Sequence, residues 1–98
     1  MYRKLIDLIT ANRKKLLELK ISMDEIKSLE LDFKEEAEQV DLFSEKAFMR
    51  ITWFKFNRLY MQILNIESEE TIYFFDGVLD NETNIGEFIM NVIYKMNY

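Results

Sequence analysis

The amino-acid sequence predicts a mainly α fold, a compact small bundle of about four helices. Three observations predict it. Apolar residues recur at spacings of three and four near both ends of the chain, Ser…Glu and Asn…Glu pairs stand where helices would begin, and the long middle segment is nearly free of turn residues.

The first helix is expected at about 2–20, where Tyr2, Leu5, Ile9, Asn12, Leu16 and Leu19 form one stripe and Arg3, Lys4, Arg13, Lys14 and Lys20 lie largely off it. Ser22 and Glu25 then read as a capping box, with Ile21 and Ile26 as its hydrophobic staple. They open a second helix at about 23–40 through Ile26, Leu29, Phe33, Ala37 and Val40, whose outer face is acidic. The seam can be extended as heptads with Asn12 as its polar member, but the capping box breaks the run and favours an ordinary bundle helix.

Residues 44–65 read as the third helix. Ser44 can cap it, Met49, Trp53, Phe56, Tyr60 and Ile63 form one stripe, and Ala47, Ile51, Phe54 and Met61 form another, as in a central buried helix. The alternative is an α+β fold with strands in 48–75 packed by helices, because Arg50–Phe56 is rich in β-branched and aromatic residues and Leu59–Ile66 could pair with it. Helix is favoured because Asn57 is the only turn residue between those two runs. Thr71–Phe75 reads as a short strand before the tight-turn pair Asp76-Gly77, giving a possible β-hairpin near 71–79. A short helix capped by Ser68 is the other reading there. The last helix, about 84–97, places Ile85, Phe88, Ile89, Val92, Ile93 and Met96 on one face behind an Asn84 cap with Glu87 as its partner.

A chain of 98 residues that is 49% hydrophobic and 14% aromatic is expected to fold as a single domain, 1–98, around one core. The absence of His and Cys excludes disulfides, Cys/His zinc sites, thiol nucleophiles and Ser-His-Asp triads. Gly77 and Gly86 are the only glycines, so no phosphate-cradling loop can be written. Glu35, Glu36, Glu38 and Asp41 could supply an acid/base pair, but consecutive acids on a helix diverge, and a solvated face explains them better. Asp80, Glu82 and Asn84 alternate as in a calcium loop, which Ile85 and Asn91 then break at positions 6 and 12. The expectation is a protein with no catalysis, no cofactor and no metal.

The basic start of the chain is interrupted by Asp7 and lacks a small-residue cleavage site, and no apolar run approaches membrane-spanning length. A cytoplasmic protein is expected. Helix 1 could lie on anionic lipid, but its Lys4, Arg13, Lys14 and Lys15 have the acids of helix 2 to answer, so no membrane partner is expected.

Charge is arranged in blocks of alternating sign. Residues 1–20 carry +4, 24–45 carry −7, 46–66 carry +4 without a single acid, and 67–98 carry −6, for a net −5. Such blocks can face one another or present a one-sign field to a partner. The function expected is that of an acidic macromolecule-binding protein, a small inhibitor or regulator of the phage type that mimics DNA and occludes the nucleic-acid-binding surface of a larger protein. Its contact residues would be Glu30, Asp32, Glu35, Glu36, Glu38 and Asp41, anchored by Trp53 and Tyr60. Surplus aromatics, among them Phe54, Tyr73 and Phe74, suit an interface or a homodimer seam. The alternative is a small dimeric helix-turn-helix-like DNA-binding regulator using Lys46, Arg50, Lys55 and Arg58. Its turn carries Asp41 in place of glycine, and net acidity disfavours phosphate contact.

Overall fold

Period two, not 3.6, governs the middle of the chain. In residues 47–53, Ala47, Met49, Ile51 and Trp53 are buried, while Phe48 and Arg50 between them are not. Alternation of this kind belongs to a strand with one face on a core. The computed structural model describes residues 4–30 and 36–97. It is an α+β arrangement with helices α1 (Lys4–Ala11), α2 (Arg13–Glu18) and α3 (Ile85–Ile93) and a 3-10 turn at Tyr94–Asn97. The strands are β1 (Ser22–Met23), β2 (Lys27–Glu30), β3 (Glu36–Phe43), β4 (Ala47–Phe54), β5 (Arg58–Asn65) and β6 (Thr71–Val78). The sheet is antiparallel in the order β1-β3-β4-β5-β6, with β2 also paired to β3. β1 and β2 bond to opposite ends of β3 and together make one interrupted outer strand.

Register brings Val40, Ile51 and Met61 into one row, and Leu42, Met49 and Ile63 into the next. These residues are at most 1% exposed. Against them pack Leu5 and Ile9 of α1, Leu16 of α2, Ile89 and Ile93 of α3, and Met96, all in one hydrophobic cluster. Phe75 of β6 meets Phe88 of α3 edge-on at 5.2 Å. Gly86 permits close approach of α3 to α1, since a Cβ there would stand 3.1 Å from Leu8 Cδ1. The helices therefore cover one face of the sheet.

The mainly α expectation is overturned. Among the described residues only the terminal helices are found, and the first of them is divided at Asn12, whose side-chain amide donates to Leu8 O at 2.9 Å. Asn84 accepts from the Glu87 N–H at 3.0 Å and caps α3 as its spacing predicts. Of the helix expected at 23–40, residues 31–35 lie outside the described residues and the rest contribute to β1, β2 and β3, and Ser22 directs its hydroxyl to Phe43 O across the sheet rather than capping a turn of helix. The helix expected at 44–65 is the β4–β5 hairpin. Three residues, Lys55 to Asn57, join its strands, and Phe56 (φ 60°) and Asn57 (φ 63°) lie in the left-handed region. Phenylalanine is a poor residue for that conformation, so the turn gave no signal. Asp76 and Gly77 lie within β6, not in a turn. The α+β alternative with strands in 48–75 is closer to the fold.

Candidate functional site

The face of the sheet opposite the helices carries the residues that alternate with the core. Register aligns Asp41 with Arg50 and Gln62, Phe43 with Phe48 and Leu64, and Gln39 with Thr52 and Tyr60. β6 adds Phe74 opposite Gln62, Asp76 opposite Tyr60 and Val78 opposite Arg58. A solvent-facing antiparallel sheet ordinarily shows polar residues on its outer side. This one shows Phe43, Phe48, Phe54, Tyr60, Leu64 and Phe74, none of which belongs to the cluster beneath the helices.

Geometry makes this face an ordered surface. Tyr60 and Phe74 rings meet edge-on at 5.6 Å and Phe43 and Phe48 at 5.2 Å. The Arg58 guanidinium lies 4.7 Å from the Phe54 ring centroid, a cation-π stack. Arg50 makes a bidentate pair with its cross-strand neighbour Asp41 (Nε–Oδ1 2.9 Å, Nη2–Oδ2 3.0 Å). That hydrogen bond raises the Arg50 pKa further. Gln39 Nε2 donates to Thr52 Oγ1 at 2.9 Å and Tyr60 OH donates to Gln62 Oε1 at 3.0 Å. Exposure rises toward β6, where Phe74 is 56% and Val78 71% exposed. At the tip of the β4–β5 hairpin Phe56 is 88% exposed. Contiguous exposed apolar residues rimmed by charge mark an interaction surface.

The residues expected to bind a partner are dispersed by this fold. Asp32 and Glu35 lie outside the described residues. Glu30 and Glu36 are backbone register partners at the ends of β2 and β3. Glu38 is 2% exposed and belongs to the helix-covered face, where its Oε1 accepts the Leu5 N–H at 2.9 Å. It caps the first turn of α1 and is not part of an outward acidic field. Asp41 is on the open face and is partnered by Arg50. Trp53 is buried on the core side, and Tyr60 is on the open face.

Of the alternative set, Arg50 and Arg58 share the open face, while Lys46 and Lys55 stand in the turns before and after β4. These residues are on strands and turns, so the helix-turn-helix reading is contradicted. Among the residues that sequence reasoning missed are Phe43, Phe48 and Phe56. Phe43 and Phe48 are out of phase with the core residues of β3 and β4, and Phe56 stands in the turn between β4 and β5. The Asp80–Asn84 segment is a polar loop leading into α3. Asp80 Oδ1 accepts from the Glu82 N–H, the Thr83 N–H and the Thr83 hydroxyl, the last two at 2.9 Å, and these bonds hold its carboxyl below the usual value.

A protein-family model matches most of the chain. The model described as "Immunity protein TriTu" matches residues 3–93. No curated protein and no solved structure matches the chain. A match over nearly the whole length means that the chain belongs to this immunity protein family.

Proposed function

We propose, from that membership, that the chain neutralises a toxin protein by binding it through the open face of its sheet. An immunity protein works by occupying its partner and needs no chemistry of its own, which suits a chain without His, Cys or a phosphate loop. The observation that carries the reading is the aromatic face left bare by the helices. Phe74, Tyr60, Phe54 and Phe48 supply rigid anchors, and Arg50, Asp41, Arg58 and Asp76 supply a balanced charged rim. The net charge of −5 suits a basic partner, as a toxin that processes nucleic acid would be. The acidic helical face that DNA mimicry would need is absent from the described residues, so the reading rests on surface complementarity.

The test has two stages. Tagged protein captures its partner from the source cells, and the captured protein is then expressed alone in a heterologous bacterial host, where it should arrest growth. Co-expression of the wild-type chain should restore growth. Phe74→Asp, which places a carboxylate in the centre of the exposed apolar strip, should fold normally and weaken binding by roughly 2 kcal/mol or more, the loss typical of an aromatic anchor. Full neutralisation by Phe74→Asp together with a matching Tyr60→Asp variant would remove the open face from the mechanism.

A further inference from the structure

The edge of the sheet beside this face has features of its own. β6 is the last strand, eight residues long, and β5 is its only strand partner among the described residues. The Leu79 N–H donates to Asn57 O at 3.0 Å, so Asn57 and Leu79 are a hydrogen-bonded pair. Stepping by two, Leu59/Gly77, Met61/Phe75 and Ile63/Tyr73 are bonded pairs as well. In an antiparallel ladder these alternate with residues whose backbone groups point the other way. The N–H and C=O groups of Phe74, Asp76 and Val78 therefore point off the sheet, and their side chains lie on the open face.

Soluble proteins blunt such edges with lysine, proline, short strands or bulges. β6 has no lysine and no proline, and its register shift, at Ile63/Leu64, disturbs only its first residues. Acids flank it instead. Glu67, Glu69 and Glu70 precede β6, Asp76 lies within it, Asp80 and Glu82 follow it, all exposed, and no base occurs between Glu67 and Tyr94. Pairing with β6 of a second copy would run antiparallel and set the Glu67–Glu70 turn of one molecule beside Asp80 and Glu82 of the other. Like charges would meet at both ends. A foreign strand with Lys or Arg at its ends would meet attraction at both.

We propose that the outer edge of β6 is a strand-addition site that takes an extended, basic-flanked segment of the partner toxin, bonded through the backbone of Phe74, Asp76 and Val78. The partner's sheet then continues this one, and its side chains extend the aromatic face past Phe74. This rests on the neutralising function proposed above and names the mode of contact.

Amide hydrogen exchange, read by NMR on the chain alone and bound to the captured toxin, tests it. Tyr73, Phe75 and Gly77 amides should be protected in both states. Phe74, Asp76 and Val78 amides should exchange freely alone and slow by about 100-fold or more in the complex, as paired strand amides do. Asp76→Pro removes one outward N–H and spares the β5 ladder, whereas Asp76→Ala removes the same carboxylate and keeps the N–H. Proline should weaken toxin binding by about 30-fold relative to alanine, the cost of stranding one buried acceptor. A toxin that is neutralised while those three amides stay fast, with the two variants binding equally, overturns the edge site and leaves the neutralising function standing. A wild-type chain that neutralises nothing overturns both. Concentration-dependent protection of the free chain with a dimer mass would assign the edge to a second copy and also overturns it.

Discussion

Phe56 is held in a conformation that its side chain disfavours, and replacing it should reveal how much. A left-handed L-residue costs about 1–2 kcal/mol, and asparagine relieves a good part of this because its short polar side chain tolerates that region. Phe56 is 88% exposed, so Phe56→Asn sacrifices little burial. With a phenylalanine presenting roughly 200 Å², the covered eighth is about 25 Å², or ~0.6 kcal/mol. The balance is a gain of about 0.5–1 kcal/mol, since Asn57 already supplies the second left-handed residue. For a domain of 98 residues this corresponds to a rise in Tm of about 2–8 °C, measured by circular dichroism melting. On the proposed function the same variant should bind the toxin more weakly, because a strained, exposed ring at a hairpin tip adds nothing to stability and would serve contact. A lower Tm for Phe56→Asn would refute the strain argument. A higher Tm with unchanged binding would refute the contact.

Two further outcomes test the fold. Glu38→Ala removes a charge-assisted, buried hydrogen bond to the Leu5 N–H and should cost about 2 kcal/mol in urea denaturation, and Glu38→Gln, which keeps an acceptor, should cost less; no change would mean that the α1 terminus is satisfied without it. Because hydrogen bonds from Thr83 and Glu82 lower the Asp80 pKa from 3.8, its ionised form contributes stability that is present above that value and lost as the pH falls through the depressed folded value. The stability gap between wild type and Asp80→Asn, followed by urea melts from pH 6 to pH 2, should therefore shrink at the acid end, and a gap of constant size would sink the assignment.

The ends of the chain were legible because their helices are amphipathic in the ordinary sense. Leu5, Ile9 and Leu16 face the core while Lys4, Arg13, Lys14 and Lys15 face out, and Asn84 caps α3 in sequence as in space. The centre was illegible for a reason tied to the candidate site. A strand with a polar outer face would have shown alternation, but β4 and β5 carry Phe48, Phe54, Tyr60 and Leu64 on the outer side of a core row that includes Met49, Ile51, Met61 and Ile63. Apolar residues on both phases erase period two. They leave spacings of four, such as Met49 to Trp53, that suit a helix equally well. The hairpin turn hid for a second reason, since Phe56 stands where glycine or asparagine would have announced it. The expected site residues were separated by the same error. Glu38 and Asp41, read as one acidic helix face, fall on opposite faces of β3.

The same departures from local consistency now converge. Sequences break patterning rules mainly where function demands it, and here the breaks are neighbours. The aromatic residues out of phase with the core, the left-handed Phe56 and the unguarded β6 edge lie on one side of the sheet or along its margin. Each alone has a structural explanation, but a bare aromatic face and a pairing-competent edge together would make a protein prone to self-association. The run of acids from Glu67 to Glu87, with no base among them, counters that tendency by repelling a second copy along β6. A partner with the opposite charge is admitted by the same field. On the proposed function, one distribution of charge beside one uncovered surface would both keep copies apart and attract a basic partner.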